Sequence, residues 1–292
     1  MKNIVCFGEV LWDMLPTGKK LGGAPLNVAL RAQSLGMESN IISAIGNDSI
    51  GQEILEELKT YGINKSHIQV SKKFGTSEVL VHLDSNGSAS YDIKMPCAWD
   101  DIEHQEEDAK TVAQSDAFIH GSLAARSKTT LSTLLQLLNQ ARFKVFDVNL
   151  RPPHYNLKTL LKLMNHADLI KFNDDEIFEI CKEMGLEKSS LEECVQFIAE
   201  HTQTKQICVT LGGNGAVLYI GTDFFYNKGY KVKVADTVGA GDSFLATIIS
   251  ELLNETPPQR AINSACAIGA LVASKNGANP KVTQEEIEKI ML

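Results

Sequence analysis

A short segment late in the chain combines two glycines and an aspartate directly before an apolar stretch of helical character. Residues 236–244 read DTVGAGDSF. Glycines just ahead of a helix leave backbone N–H groups open to an anion, and the helix dipole adds positive potential there. Asp242, placed among those donors, could contact both a transferring phosphoryl group and the hydroxyl that attacks it. The alternative is that Asp242 and Ser243 only cap the helix, as aspartate and serine often do.

A second glycine-rich segment lies near the amino terminus. Residues 21–29 read LGGAPLNVA, with paired glycines ahead of a helix and Pro25 near its first turn. Asn27 interrupts an otherwise apolar stripe, and its amide could hydrogen-bond a polyol from the helix start. The alternative is a turn followed by a helix that carries one capping amide.

Two further segments suit a nucleotide and its metal. Residues 172–176 read FNDDE, and Asn173 and Glu176 stand three apart at a helix start, so both can face one side. Oxygen ligands of this kind suit a water-rich Mg²⁺ on nucleotide phosphates, although an N-cap with acidic first-turn residues is the alternative. Residues 210–216, TLGGNGA, are either a tight turn or a loop under a nucleotide, and this pattern alone does not decide between them.

Other nucleotide and metal signatures are missing from the sequence. No Gly-x-x-x-x-Gly-Lys-Ser/Thr segment occurs, so the chain is not a P-loop enzyme. Gly239 and Gly241 lack the third glycine of a dinucleotide fingerprint, which argues against a nicotinamide-dependent oxidoreductase. The seven histidines show no metal-binding spacing, and the two tryptophans form no aromatic array for nucleic acid.

The composition is that of a globular protein with one main core. The chain has 292 residues, of which 43% are hydrophobic, and a net charge of −8 without a basic block. That charge argues against nucleic acid and anionic membranes as partners. The first residues lack the pattern of a signal peptide, so we expect none, and no apolar stretch approaches the ~20 residues of a membrane-spanning helix. The six cysteines lack paired spacing, so we expect them to be reduced in a cytoplasmic protein.

Short apolar runs alternate with longer segments of helical periodicity. This alternation predicts an α/β fold with a central, mostly parallel β-sheet flanked by helices on both faces. The predicted strands are residues 4–7, 41–45, 117–120, 144–148, 169–172, 207–211 and 216–220. The predicted helices are residues 26–35, 51–61, 129–141, 174–183, 191–201, 242–253, 259–274 and 283–290. No repeat or long linker divides the chain, so we predict a single domain over residues 1–292.

One segment departs from this alternation. Residues 77–94 alternate apolar and polar side chains on both sides of a Ser-Asn-Gly-Ser turn at 85–88, which predicts an antiparallel hairpin. A hairpin does not fit into a parallel sheet, so we expect it to project as a small β-flap, or lid, with segments at about 10–20 and 75–96. An exposed flap could also pair two copies of the chain in a homodimer.

Taken together, these segments resemble the ribokinase-like (PfkB) carbohydrate kinase family. The order of motifs matches along nearly the whole chain, as FGEVLWD, LGGAPLNVA, DVNLR, NDDE, TLGGNGA and DTVGAGDSF. The segments at 22–29 and 236–244 are the specific ones, because one sequence rarely holds both by chance. Within the family, GGAPLNVA and DVNLR are most similar to fructokinases. The resemblance implies a ribokinase-like fold that uses ATP and Mg²⁺, with a sugar and ATP as its small-molecule partners.

The resemblance also implies roles for individual residues. Asp242 would be the base that takes the sugar proton, beside an anion hole formed by the N–H groups of Gly239, Ala240 and Gly241. The sugar would be held by Asp13, Gly22, Gly23, Asn27 and Arg151, the last of which could also reach the phosphates. The nucleotide would be bound by Asn173, Thr210, Gly212 and Gly215, with Asn173 and Glu176 positioning Mg²⁺. Because Asp242 lies near a helix N-terminus, we expect it to stay ionised and to be a weak base.

One position departs from the family pattern. Many members bind a monovalent cation through the equivalent of Asp236 and carbonyl groups of residues 272–277, with a hydroxyl-bearing side chain further on. In this chain that last position is Lys281. Because its ammonium could occupy or repel a K⁺ site, we expect activity to be nearly independent of K⁺.

The resemblance therefore predicts an ATP-dependent kinase that converts fructose to fructose 6-phosphate, with the flap closing over the sugar. The nearest rival substrate is 2-keto-3-deoxygluconate, whose carboxylate needs a cation such as Arg151; ribose and nucleosides are further rivals. No second lysine or arginine in the flap clearly supports the keto acid. From a different class, the chain could be a sugar-binding regulator that kept the fold without catalysis.

Overall fold

The structure, a computed structural model, describes residues 1–15, 18–83 and 89–292. Within these ranges the strands are β1 (Asn3–Phe7), β2 (Leu11–Leu15), β3 (Gly18–Gly22), β4 (Glu38–Gly46), β5 (Ile68–Ser71), β6 (Ser77–Leu83), β7 (Ala89–Ile93), β8 (Ala117–Gly121), β9 (Lys144–Asp147), β10 (Leu169–Asn173), β11 (Gln206–Thr210), β12 (Ala216–Ile220) and β13 (Asp223–Asn227). The α-helices are α1 (Ala24–Ser34), α2 (Ser49–Thr60), α3 (Glu106–Gln114), α4 (Lys128–Leu138), α5 (Leu157–Met164), α6 (Asp174–Glu183), α7 (Leu191–Thr202), α8 (Ala240–Leu253), α9 (Pro258–Ala273) and α10 (Gln284–Met291).

The larger sheet is mostly parallel, as predicted. Its strand order is β13-β12-β11-β10-β9-β8-β1-β4-β5. The seven strands from β11 to β5 in that order pair in parallel, whereas β12 and β13 add an antiparallel edge. Parallel neighbours need crossover connections, and helices supply most of them.

Helices cover both faces of this sheet, so each strand contributes to two apolar cores. In β1, Val5 and Phe7 belong to the core that includes α3 to α7, whereas Ile4 and Cys6 belong to the core that includes α1, α2, α8 and α9. Burial on both faces explains why these strands are nearly continuous apolar runs. All six cysteines are free and buried. No helix in the part of the chain that the structure describes is both long and apolar enough to span a membrane.

A second, smaller sheet corresponds to the predicted flap. Its strand order is β3-β2-β6-β7. The antiparallel pairing of β6 with β7 confirms the predicted hairpin, and β2 joins it by pairing in parallel with β6 and antiparallel with β3. The predicted hairpin turn at 85–88 lies outside the described residues, as do residues 16 and 17 of the predicted lid segment.

Several predicted boundaries are wrong for identifiable reasons. The helix predicted to start at Asp242 begins at Ala240, because Gly239 in a left-handed conformation is its N-cap. Asp242 therefore lies in the first turn, and the interpretation of Asp242 as a cap is wrong. Helix α2 begins before the predicted Gly51, because the Asp48 carboxylate accepts the Gly51 N–H. Strands β5 and β13 and helices α3 and α5 were not predicted from the sequence.

Candidate active site

The polar segments singled out in the sequence meet at one edge of the larger sheet. Strands β1, β8, β9, β10 and β11 are parallel neighbours, so their carboxyl ends lie side by side. Glu9 follows β1, Arg151 follows β9, and Asn173 ends β10. In open α/β sheets, ligands bind in the crevice outside these carboxyl ends.

A cavity of about 230 Å³ lies between this edge, the flap and the start of α8. We call it the polar cavity. Four of the residues predicted to hold a sugar line it, namely Asp13, Gly23, Asn27 and Arg151. Gly22 instead packs against Asp13, since a Cβ atom at residue 22 would lie 2.2 Å from Asp13 Oδ2. One wall of the polar cavity is apolar. It is made by Leu11, Val79 and Ile93 of the flap strands and by Leu123, which follows β8.

A second cavity, of about 380 Å³, opens on the other side of the α8 N-terminus. We call it the apolar cavity, because aliphatic and aromatic side chains make much of its wall. The predicted nucleotide-binding residues all line it, namely Asn173, Thr210, Gly212 and Gly215. Sequence reasoning missed the other half of its wall, which is built by Tyr230, Val232, Val234, Phe244, Cys266 and Ala270. A mostly apolar space that polar residues also line suits a nucleobase and its phosphates.

The two cavities share a wall at the start of α8. Thr237 and Gly241 line both of them, whereas Gly239 and Asp242 line the polar cavity and Ala240 lines the apolar one. A group held at Gly241 would therefore face a ligand on either side. This arrangement can transfer a small anionic group from one ligand to the other.

The first turn of α8 provides donors for such an anion. The N–H of Ala240 donates to the Thr237 carbonyl at 3.2 Å, and the N–H of Ser243 donates to the Gly239 carbonyl at 2.8 Å. Ala240 therefore has a backbone partner that the predicted anion hole did not include. The N–H groups of Gly241 and Asp242 belong to the first turn, where a helix supplies no acceptor of its own. Together with the helix dipole, they favour an anion at the shared wall.

Asp242 is held by a chain of two amides. Asn27 Nδ2 donates to Asp242 Oδ2 at 2.8 Å, and Asn279 Nδ2 donates to Asn27 Oδ1 at 2.9 Å. Burial, together with the negative charge of Asp147, raises the pKa of Asp242 to about 6. The expectation of a weak base is therefore wrong, because desolvation outweighs the helix N-terminus. A carboxylate with this pKa is still mostly ionised at neutral pH and is a better proton acceptor.

Two further carboxylates line the polar cavity. Burial raises the pKa of Asp13 to about 6, against the opposing charges of Arg151 and Lys20. Burial also raises the pKa of Glu9 to about 7, and its Oε2 has no hydrogen-bond partner among the described residues. Sequence reasoning missed Glu9, although an acidic residue directly after a buried strand is a signal that could have identified it. Both side chains can accept hydrogen bonds from ligand hydroxyls.

Asn173 and Glu176 form a capping box at the start of α6. Asn173 Oδ1 accepts the Glu176 N–H at 2.8 Å, and Glu176 Oε2 accepts the Asn173 N–H at 2.8 Å. Glu176 Oε1 accepts the Leu150 N–H at 2.9 Å. Burial raises the pKa of Glu176, and the charge of Lys171 opposes that shift. The N-cap that the sequence left as an alternative is thus present, and it joins the ends of β9 and β10.

Comparison with known proteins decides the family. Residues 1–285 match the pfkB family carbohydrate kinases. The chain belongs to this family. It is therefore an ATP-dependent sugar kinase, and the ribokinase-like fold predicted from its motifs is confirmed.

Individual PfkB relatives are similar over the whole chain. A probable chloroplastic fructokinase-6 from Arabidopsis thaliana is 29% identical over 99% of this chain and 82% of its own. A fructokinase from Xylella fastidiosa with bound ATP is 22% identical, with a TM-score of 0.84 over 99% of this chain and 98% of its own. A double mutant of fructokinase from Vibrio cholerae, bound to fructose, ADP and potassium, is 23% identical, with a TM-score of 0.84 over 100% of this chain and 99% of its own.

Asp236 is the residue predicted as a possible ligand for a monovalent cation. Its carboxylate accepts hydrogen bonds from two backbone N–H groups. Its Oδ1 accepts the Val238 N–H at 3.0 Å, and its Oδ2 accepts the Gly277 N–H at 3.0 Å. Lys20 of flap strand β3 lies 3.8 Å from the same Oδ2. Lys281 is exposed, and its carbonyl oxygen accepts a hydrogen bond from Lys275. A lysine from the flap, which sequence reasoning did not identify, is therefore the charge beside Asp236.

A buried ion pair at the shared wall was also missed. Lys171 Nζ lies 3.0 Å from Asp147 Oδ1, and both side chains are buried. The two residues are directly opposite each other on strands β10 and β9. The sequence does carry a signal for this pair. A lysine and an aspartate each interrupt an otherwise apolar strand, in IKFN and VFD, and buried charges rarely occur unpaired.

Replacing Asn27 by alanine tests its contact with Asp242. The hydrogen bond from Asn27 lowers the pKa of Asp242, so we expect its loss to raise that pKa above about 6. The acid limb of the kcat/KM profile should move to higher pH by about one unit, since a hydrogen bond to a charged group contributes about 1.5 kcal/mol or more. The matched control is Asn254→Ala, at the opposite end of α8. An acid limb at the same pH in Asn27→Ala and wild type would contradict the assignment.

Proposed function

We propose that this protein transfers the γ-phosphoryl group of ATP to a hydroxyl of fructose, giving fructose 6-phosphate. The observation that carries the proposal is the wall at Gly241 shared by the polar and apolar cavities, with Asp242 on the polar side. ATP would occupy the apolar cavity with its phosphates directed at the start of α8. The sugar would occupy the polar cavity with its attacking hydroxyl at Asp242.

The chain's own groups account for the transfer step. Asp242 would orient the hydroxyl and accept its proton as the oxygen attacks phosphorus, while the bond from phosphorus to the ADP oxygen breaks. The transition state of phosphoryl transfer is loose, so positioning and charge stabilisation contribute more than covalent help. The first-turn N–H groups of α8, which point at the place where negative charge gathers, would supply part of that stabilisation.

The residues beside the apolar cavity fit a water-rich Mg²⁺ on the ATP phosphates. Glu176 accepts two backbone N–H groups, yet a carboxylate offers about four lone-pair positions, so it can also accept from metal-bound water. Asn173, Asp174 and Asp175 line the cavity at the same end. Asn173 and Glu176 would hold the hydrated metal ion at this end of the cavity, where its charge would offset that of the ATP phosphates.

The lining of the polar cavity supports a polyhydroxy acceptor. Asp13 and Glu9 offer carboxylate oxygens to sugar hydroxyls, and one N–H of the Asn27 amide remains for a sugar oxygen. The names of the relatives point to fructose among the possible sugars. The flap would close over the sugar and exclude water, which otherwise competes as an acceptor.

A second candidate substrate is 2-keto-3-deoxygluconate, and one observation favours it. Lys20 lies in flap strand β3 directly opposite Asp13, and its charge lowers the pKa of that residue against the effect of burial. The flap therefore supplies a cation that, like Arg151, acts on Asp13, which the sequence-based reasoning did not identify. Arg151 in the lining of the polar cavity, together with the exposed Lys20 on the flap, would suit the carboxylate of a sugar acid.

The rate is expected to be nearly independent of potassium. Asp236 is engaged by two backbone N–H groups and lies 3.8 Å from Lys20, and the family's hydroxyl-bearing position is Lys281. The side chain of Lys20 beside Asp236 would take the place of the bound cation. We expect the same kcat in potassium and sodium chloride at equal ionic strength. A large gain in kcat on replacing Na⁺ by K⁺ would contradict this prediction.

The single-domain organisation over residues 1–292 and a homodimer joined through the flap stay predictions. The edge strands of the flap sheet are β3 and β7. Lys19 and Lys20 are exposed on β3, and edge lysines disfavour pairing between strands, so β7 is the edge that we propose for a dimer contact.

The proposed function is tested by MgATP-dependent ADP release across fructose, 2-keto-3-deoxygluconate, ribose, glucose, tagatose and adenosine. Turnover of fructose that is lost in Asp242→Asn would support the proposal. Mutant-sensitive turnover of a different acceptor would keep the mechanism and overturn fructose. Sugar binding without turnover of any acceptor would instead favour a sugar-binding regulator.

A further inference from the structure

A buried lysine lies against the wall that the two cavities share. Lys171 is 6% exposed and lines the polar cavity. A Cβ atom placed on Gly241 would lie 3.6 Å from Lys171 Nζ, so the ammonium packs beside the Cα atom of Gly241. Because Gly241 lines both cavities, Lys171 lies where a group passing between them must travel.

The strand register places this ammonium. Lys171 is opposite Asp147 in the β9–β10 pair, and the carboxylate of Asp147 lies 3.0 Å from Nζ. Burial by itself lowers the pKa of Lys171, but the negative charges of Asp147 and Glu176 outweigh that effect and raise it. The ion pair with the buried carboxylate of Asp147 is the contact that holds Lys171 as an ammonium. An ammonium has three N–H donors, and the ion pair uses one of them.

The charges around the shared wall explain why a cation is needed there. Three carboxyl groups lie close enough to Lys171 to raise its pKa, namely those of Asp147, Glu176 and Asp242. The charge of Asp147 also raises the pKa values of the other two carboxyl groups. A phosphoryl group is itself anionic, so carboxylates alone would repel it. Lys171 is the side-chain cation that packs on Gly241, within the part of the chain that the structure describes.

We propose that Lys171 is a further catalytic residue, whose Nζ donates to a non-bridging oxygen of the phosphoryl group during transfer. In that step the phosphorus–oxygen bond to ADP breaks, the bond to the sugar oxygen forms, and the hydroxyl proton passes to Asp242. Lys171 keeps its own protons throughout. This inference rests on the proposed function, and it adds a side-chain cation to the backbone donors of α8.

Lys171→Gln tests the inference by its effect on kcat. Removing one donor to transition-state charge lowers kcat by about 100-fold or more, so we expect a loss of that size with little change in the sugar and ATP KM values. Lys171→Arg should recover part of the loss because it keeps a cation. The matched control is Lys144→Gln, which removes a lysine at the opposite end of the same strand pair, 3.6 Å from Asp168. That control should keep the wild-type kcat.

The pH profile gives a second readout, because it reports the charge that Lys171 places beside Asp242. The charge of Lys171 lowers the pKa of Asp242, so in Lys171→Gln the acid limb of kcat/KM should move to higher pH. Should Lys171→Gln fail to fold because Asp147 is left buried and unpaired, the double variant Lys171→Met with Asp147→Asn removes both charges together. We expect that variant to fold and to show the same loss of kcat.

The outcomes separate this inference from the function on which it rests. Wild-type turnover of any acceptor, with wild-type kcat in Lys171→Gln or in the double variant, would overturn the role of Lys171 alone. Loss of kcat in Lys171→Gln with an acid limb at the wild-type pH would also overturn the role of Lys171 alone. A wild-type protein that turns over none of the acceptors would overturn the proposed function itself. Loss of kcat with a moved acid limb and partial recovery in Lys171→Arg would establish the role.

Discussion

Asp242→Asn is expected to lower kcat by about 10²–10⁴-fold, the range of general acid–base catalysis. Asparagine has nearly the same shape as aspartate and can keep a hydrogen bond with Asn27, but it cannot accept the hydroxyl proton. The change therefore removes chemistry and leaves the packing of the first turn of α8 largely intact. The measurement is the steady-state rate of ADP release with the best acceptor from the substrate panel.

The pH dependence gives the same experiment a second readout. The pKa of Asp242 is raised to about 6, and the carboxylate must be ionised to accept a proton. Wild-type kcat/KM should fall as the pH drops through that value, and Asp242→Asn should lose the part of this dependence that belongs to Asp242, along with most of its rate. The matched control is Asp223→Asn, at an exposed position where β13 begins. A rate in Asp242→Asn close to that of wild type would exclude Asp242 as the base.

Gly239→Ala is expected to lower kcat by about 10²–10³-fold, because it displaces the donors at the start of α8. Gly239 has φ +76, and a Cβ atom there would lie 2.3 Å from the carbonyl oxygen of Ala278. The obstacle is backbone, so it cannot move aside as a side chain could. Since Ala278 precedes Asn279, which holds Asn27, the displacement would also disturb the support of Asp242.

Gly277→Ala is the matched control for this collision. Gly277 also has a positive φ, of +88, but a Cβ atom there would meet nothing within 4 Å. Both alanines carry the left-handed backbone penalty of about 1–2 kcal/mol, and Gly239→Ala alone adds the collision. Thermal unfolding should show a loss of stability in both variants, whereas the large loss of kcat should be confined to Gly239→Ala. Equal rates in the two variants would contradict the argument.

Much of the fold could be predicted because it depends on local patterns. Apolar runs bounded by helical segments predicted the parallel strands, and the Asn-Gly alternation predicted the β6–β7 pairing. The start of α8 was misplaced because its N-cap is Gly239 in a left-handed conformation, whereas aspartate and serine are the usual caps. Strands β5 and β13 were missed because short edge strands with mixed polarity carry little periodic signal.

The site residues were predictable as a set, but their contacts were not. Glycine pairs before helices, the acidic segment at 173–176 and the aspartate at 242 could be recognised from residue type and spacing. Which groups hold Asp242 could not, because Asn27 is 215 residues away and Asn279 reaches Asn27 across 252 residues. The pKa of Asp242 was misjudged for the same reason, since the sequence shows the helix dipole but not the burial or the nearby Asp147.

From the sequence alone, then, the family, the sheet and the chemical types at the site could be predicted, because motif order and periodicity are properties of neighbouring residues. The tertiary structure decided how these pieces act together. Parallel register brings Lys171 opposite Asp147, and the packing of α8 against the sheet places Gly241 between two cavities. Such distances depend on the whole chain folding at once, and no local pattern records them.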